Sequence, residues 1–201
     1  MKKKGFIIIA ILAVLAAITL SACGGSCWGP INTGTNPSTE NSTASASANT
    51  GVLSEFTATD FNGNEVSAEI FKGKKLTMVN IWATFCGPCI NEMPELGELN
   101  KENSEKGFQI IGIPADVTDQ KGNVSQSLLN TAKEIVTKTN ADYTHIIPSK
   151  SLITAKIGKV SSVPETIFVD ENGKQVGKAY IGARSKTEWQ KIIDNLLKEA
   201  A

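Results

Sequence analysis

Histidine is almost absent from this chain of 201 residues, with His145 the only one. Net charge is absent as well, since 20 basic residues face 20 acidic ones. That balance gives no electrostatic footprint for a nucleic acid, and no nucleic-acid partner is expected. Apolar runs long enough to cross a membrane are also lacking: Phe6 to Leu20 has the length of a secretory signal and is short for a span. Between residue 24 and about residue 51, apolar content and charge both nearly vanish. Gly, Ser, Thr, Asn and Ala dominate there, and Glu40 is the only charged residue. Such a stretch cannot bury enough surface to fold, so it reads as a linker. Its r.m.s. span is about 30 Å by the scaling for flexible chains. There is no internal repeat. What is present is ordinary for a globular protein, 41% hydrophobic and 20% charged, in a chain long enough for one well-buried domain.

The N-terminus reads as a targeting signal. Lys2, Lys3 and Lys4 precede the apolar stretch, which ends in Leu20-Ser21-Ala22-Cys23. That tetrapeptide resembles the bacterial lipobox. The resemblance implies cleavage before Cys23 and acylation of its sulfur, with two or three acyl chains giving a stable anchor on the extracytoplasmic face of a bacterial cell membrane. Residues 1–22 are thus expected to be a signal peptide, 23–51 a lipidated cysteine with its linker, and 52–201 the folded domain. An ordinary signal peptide cut near Ala22 is the alternative. Loss of residues 1–22 leaves 17 basic and 20 acidic residues. Cysteines outside the membrane are oxidised by default, so a reductant working there needs electrons delivered across it.

The chemistry concentrates at Trp82-Ala83-Thr84-Phe85-Cys86-Gly87-Pro88-Cys89. A C-x-x-C between an apolar strand, Leu76 to Trp82, and a helix is the redox dithiol arrangement, and its reaction is thiol–disulfide exchange. Cys86, just ahead of the helix, meets free backbone amides and the positive end of the dipole, which favour its thiolate and make it the attacking group. Pro88 suits the first turn, where its missing donor costs nothing. Cys89, one turn in, is more covered and would resolve the mixed disulfide. An inert structural disulfide is the plain alternative. A zinc site would need Cys23 and Cys27 as further ligands, and Cys27 has no assigned role.

Around this motif the pattern predicts a mixed sheet between helices. Phe56–Phe61 and Glu65–Ile70 read as a hairpin turned by Asn62-Gly63-Asn64. Pro88 to about Lys106 reads as a helix with Ile90, Met93, Leu96 and Leu99 inward and a kink at Pro94. Phe108–Ile113 reads as a second buried strand. A helix carrying Leu128, Leu129, Ala132, Ile135 and Val136 follows, then a strand around Tyr143–Ile147. Thr166–Val169 and Gln175–Ile181 read as a hairpin. The last helix opens with a Ser185/Glu188 capping box and shows Trp189, Ile192, Ile193, Leu196 and Leu197 as one stripe.

The run Val79-Asn80-Ile81-Trp82-Ala83-Thr84-Phe85-Cys86-Gly87-Pro88-Cys89 with Glu92, Pro94 and Leu96, followed by Val163-Pro164-Glu165-Thr166-Ile167-Phe168-Val169-Asp170 and Gly173, resembles the TlpA/ResA group of membrane-tethered thioredoxin-like proteins. The resemblance covers about residues 55–200 and departs from the family at Phe85, where tryptophan is common, and at Glu165, where a small polar residue is more usual. It implies a thioredoxin-like fold with a helix–strand insertion at 115–148, and no cofactor beyond the redox-active Cys86–Cys89 disulfide. It also implies a buried acid at Glu92 that takes the proton from Cys89, where a solvent-facing helix glutamate is the plain alternative. A cis Pro164 would turn the Val163 backbone to the incoming peptide. Trp82, Val163, Pro164 and Glu165 are the candidate client-contacting residues, with Glu165 expected to disfavour the Cys86 thiolate and repel acidic clients. The implied partners are apocytochrome c or an oxidised methionine sulfoxide reductase as client, and a transmembrane thiol carrier as electron donor. The Cys-Gly-Pro-Cys loop matches thioredoxin, a reductant near about −270 mV, rather than oxidants near about −120 mV. A thiol peroxidase would need a proline that the run Leu76–Phe85 lacks. A metal-delivery protein of the same fold would use C-x-x-x-C with a distal histidine, whereas His145 lies in the insertion and is expected in a structural or surface role. A ligand-binding lipoprotein with an inert disulfide is the third rival.

Overall fold

Local capping signals set most element ends in the computed structural model, which describes residues 52–199. The signal, Cys23, Cys27 and the linker lie outside the described residues. In chain order the strands are β1 (Thr57–Asp60), β2 (Glu65–Ser67), β3 (Leu76–Trp82), β4 (Phe108–Pro114), β5 (Thr144–Ile147), β6 (Glu165–Val169) and β7 (Gln175–Ile181). The α-helices are α1 (Gly87–Asn103), α2 (Gln126–Lys138), α3 (Lys150–Ala155) and α4 (Lys186–Glu199). Ser125 and Ser149 cap α2 and α3 by accepting the Leu128 and Leu152 amides. The Ser185/Glu188 box forms as expected: the Ser185 amide reaches Glu188 at 3.0 Å, and the Glu188 amide returns to Ser185 Oγ at 3.4 Å.

The first hairpin is shorter than its sequence pattern. Its turn is held by Asp60, whose carboxylate accepts the Asn62 and Asn64 amides at 2.8 and 2.9 Å. After Ser67 the chain leaves the sheet as a 3-10 helix, Ala68–Phe71, because the Ser67 hydroxyl caps Glu69. Helix α1 runs through Pro94 without a break and stops at Asn103. A 3-10 turn and Gly107, at φ 81°, then re-aim the chain into β4. α3, which the sequence pattern did not reveal, is only six residues long, and its signals are the Ser149 cap and the buried Leu152 and Ile153.

The sheet has the order β2-β1-β5-β4-β3-β6-β7. β3, β4 and β5 are parallel, while β6, β7, β1 and β2 join antiparallel. The inserted strand β5 thus lies inside the sheet, between the N-terminal hairpin and β4. Side chains alternate across β3. Leu76 and Met78 pack with Leu96 and Leu99 of α1 and Trp189 and Ile193 of α4. Val79 and Ile81 pack on the other face with Leu152 and Ile153 of α3. Trp82, Met93 and Ala132 place α2 on the α1 side. Burying one such side chain fully contributes about 1.5–3 kcal/mol. Leu53, fully buried, donates its amide to the Gly173 carbonyl at 3.0 Å in the turn after β6. A Cβ on Gly173 would collide with the Leu53 carbonyl, and its φ of +69° also suits glycine.

Candidate active site

Strand β3 ends at Trp82, and four residues later Cys86 caps α1. Its Sγ accepts the Cys89 amide at 3.3 Å, which is the contact that favours negative charge on this sulfur. Cys86 and Cys89 are joined as a disulfide with their Cα atoms 5.3 Å apart. Cys86 is 6% exposed and Cys89 0%, so the first cysteine is the one a partner sulfur can reach. Beside it Phe85 is 77% exposed, an apolar side chain left in solvent at the edge of the dithiol. Trp82, Cys86, Cys89 and Met93 share one buried cluster, and the half-buried Val163 packs against it. Trp82 is fully buried, so it forms the floor beneath the sulfurs and presents no surface to a partner. The Val163–Pro164 peptide bond is cis.

The loop between Trp82 and Cys86 is pinned by a residue the sequence pattern did not single out. Asp116, just past β4, accepts the Thr84 amide at 3.0 Å and the Thr84 hydroxyl at 2.5 Å. Hydrogen bonds to a charged acceptor contribute about 1.5–3 kcal/mol. Asp116→Ala is therefore expected to lower unfolding stability by about 2 kcal/mol and to loosen the loop carrying Phe85 and Cys86. Urea denaturation of the oxidised protein checks this, and an unchanged midpoint would count against the clamp.

Glu92 is 4% exposed and follows Cys89 by three residues on one helix face. Three donors from separate elements converge on it. Asn80 Nδ2 reaches Oε1 at 3.0 Å, and the Arg184 amide and Trp189 Nε1 reach Oε2 at 3.1 and 3.2 Å. Burial raises the carboxyl above the ordinary glutamate range, and these donors with the Arg184 charge offset only part of the rise. Arg184 itself lies against both the Tyr180 and Trp189 rings, 5.1 and 5.0 Å from their centroids. A buried, raised carboxyl one turn from Cys89 can accept a proton during exchange.

Glu165 is buried and ion-paired with Lys156. It is the register partner of Ile81, which places it on the α3 face, opposite Asn80 and Glu92. The expected open negative charge beside the dithiol is thus met inside the protein by a lysine that no local pattern marks. His145 is also buried, stacked on Tyr143 at 4.5 Å and Phe61 at 5.4 Å, with Trp82 edge-on at 5.9 Å.

Burial pushes the His145 imidazole down to about 4 from 6.5, against the upward pull of the Ala141 carbonyl. The fold keeps it neutral, whereas the unfolded chain takes up a proton below about 6.5. Its contribution is complete above that pH, is lost as pH falls from about 6.5 to about 4, and amounts to about 3 kcal/mol. Glu92, shifted upward, acts in the opposite sense toward the acid end. His145→Asn is expected to flatten the fall of the urea midpoint over this window. Parallel curves for the two proteins would assign the acid sensitivity elsewhere.

Residues 46–197 match the Redoxin family model. The chain is 31% identical over 141 residues to thiol-disulfide oxidoreductase ResA of Bacillus thuringiensis (strain Al Hakam), covering 70% of this chain and 74% of that one. ResA of Bacillus anthracis matches to the same extent. Among solved structures, a thiol:disulfide interchange protein from Chlorobium tepidum TLS aligns with a TM-score of 0.59 at 26% identity, over 71% of this chain and 93% of that one. A DsbF homologue from Corynebacterium diphtheriae aligns at 0.56 and 22%, over 71% and 85%, and shares the fold.

Proposed function

Because the chain belongs to the redoxin family and is a thioredoxin-fold disulfide oxidoreductase, we propose that it works as a lipid-anchored reductase of client-protein disulfides on the outer face of a bacterial membrane. The observation that carries this reading is the capping position of Cys86, with the covered Cys89 and the buried Glu92 behind it. With the dithiol reduced, the Cys86 thiolate attacks a client disulfide. A mixed disulfide forms, and one client sulfur leaves as thiolate. Cys89 then attacks Cys86 Sγ, passing its proton to Glu92 as it does so, and the client departs with both sulfurs reduced. The protein is left as the Cys86–Cys89 disulfide, and a transmembrane thiol carrier returns two electrons. Phe85 and the Val163 backbone are the surfaces for an extended client segment. Oxidised haem-site cysteines of an apocytochrome c, or an oxidised methionine sulfoxide reductase, are the client types of this proposal. A peroxidase reading is disfavoured because the Thr84 hydroxyl is committed to Asp116.

The test is the Cys86–Cys89 reduction potential, by equilibration with glutathione or dithiothreitol. A value at or below about −250 mV supports a reductant, whereas one of about −120 to −180 mV overturns the direction and both client types.

A further inference from the structure

A row of side chains crosses the sheet beneath α1. Thr166 on β6, Asn80 on β3, Gly112 on β4 and His145 on β5 are successive register partners. Asn80 is bonded upward to Glu92 and sideways to Thr166, its Nδ2 donating to Glu92 Oε1 at 3.0 Å and to Thr166 Oγ1 at 3.2 Å. That turns Nδ2 toward β6 and leaves Oδ1 on the other arm of the amide, toward β4. There Gly112 has no side chain, and a Cβ at that position would fall on the His145 imidazole. The glycine thus makes the room that the ring occupies.

Two acceptors in this row have no donor. Asn80 Oδ1 is buried without a partner, and so is His145 Nδ1. The second follows from the tautomer. His145 Nε2 lies 3.2 Å from the Ala141 carbonyl, which can only accept, so the neutral ring carries its proton on Nε2. Buried acceptors without donors are uncommon and ask for an explanation.

The arrangement around Glu92 supplies one. Oε2 already takes two donors and Oε1 only one, so a proton gained by the acid belongs on Oε1. A hydroxyl there would face the NH2 group of Asn80, donor against donor. Turning the amide over removes the conflict. Oδ1 then accepts from Glu92 Oε1–H and from the Thr166 hydroxyl, and Nδ2 points to the Gly112 side, where His145 Nδ1 waits for a donor. The orientation seen is the one an ionised acid demands. We propose that Asn80 is a positioning residue whose side-chain amide turns over when Glu92 takes up its proton, satisfying the protonated acid and the His145 acceptor together. Both protonation states of Glu92 are thereby fully hydrogen-bonded, as befits a group that must hold and then release a proton in each cycle. The other groups acting on this row are the Arg184 charge from the β7–α4 loop, Trp189 of α4 and the buried Tyr143 hydroxyl, whose ionisation Glu92 opposes. Lys133 of α2 lies over Phe61, 5.9 Å from the ring centroid.

The proposal deepens the reading of Glu92 as proton acceptor, and its test is independent of client and direction. The protein, isotope-labelled and with its disulfide intact, would be titrated by NMR from pH 8 down through the Glu92 carboxyl titration. Asn80 side-chain NH2 protons are expected to show NOEs to Thr166 at high pH and to Gly112 Hα at low pH, with the change following the Glu92 carboxyl carbon. Glu92→Gln, which presents NH2 at the Oε1 position, is expected to hold the Gly112 pattern at every pH. Asn80 NOEs that stay with Thr166 throughout would overturn the proposal, as would a Glu92→Gln spectrum with the high-pH pattern. The wild-type titration stands by itself should the variant fold poorly. A protein that proved to be an oxidant could still pass it.

Discussion

Cys86→Ser is expected to bring disulfide exchange down to the uncatalysed background, while Cys89→Ser stops the reaction halfway. The asymmetry follows from position. Cys86 Sγ is at the helix cap, accepts an amide hydrogen bond and belongs to the more exposed residue, whereas Cys89 has no exposure. A client sulfur can meet only the first. With serine at 89, Cys86 still attacks, but nothing inside the protein releases the product, and a one-to-one mixed disulfide accumulates. Turnover of a model disulfide peptide, with mass spectrometry of the products, measures both. If the Cys86→Ser protein trapped client through Cys89, the assignment of attacking and resolving cysteine would be reversed.

Glu92→Gln is the second large effect, and it should separate rate from stability. Resolution needs the buried Cys89 thiol to lose its proton as it attacks, and general base assistance of this kind contributes about a hundredfold to ten-thousandfold. The variant should slow release of the mixed disulfide into that range. The wild-type rate should fall as pH drops through the raised Glu92 titration, above 4.5, and the variant should lose that dependence. Stability should move the other way. A carboxyl whose folded value is raised stabilises the fold only when protonated, so that contribution is present below the unfolded value and lost as pH rises through the folded one. At neutral pH the fold must hold a buried charge or take up a proton that the unfolded chain does not, and glutamine removes that cost. The variant is expected to have the higher urea midpoint at pH 7.5, with the gain fading near pH 4. A slower, less stable variant at neutral pH would mean that Glu92 acts chiefly by packing.

The motif itself was legible because its signals are local: an apolar run, a C-x-x-C with proline in the first turn, and a capping box before α4. The surroundings of Glu92 were not. Asn80, Arg184 and Trp189 come from β3, the β7–α4 loop and α4, and no periodicity ties them together. Trp189 reads as one more apolar position in its helix, yet its indole nitrogen serves the carboxylate. Lys156 and Glu165 are nine residues apart across an irregular stretch, so their pairing depends on how α3 ends. His145 is the lone ionisable side chain of the short strand β5, and only the register that sets it against Gly112 shows why it can be buried. α3 was too short to announce itself by period.

The mooring of Leu53 to Gly173 gives the domain a polarity. β3 runs from Leu76 toward the dithiol, and Val169, at the far end of β6, pairs with Thr77 near the start of β3. The turn that holds Leu53 therefore lies beyond the end of the sheet remote from the sulfurs. The separation is about 20 Å, given seven residues of β3 at the usual strand rise. The described chain enters at the back of the sheet and the cysteines open at the front. A partner sulfur that reaches Cys86 therefore meets the end of the sheet opposite the one that Leu53 closes.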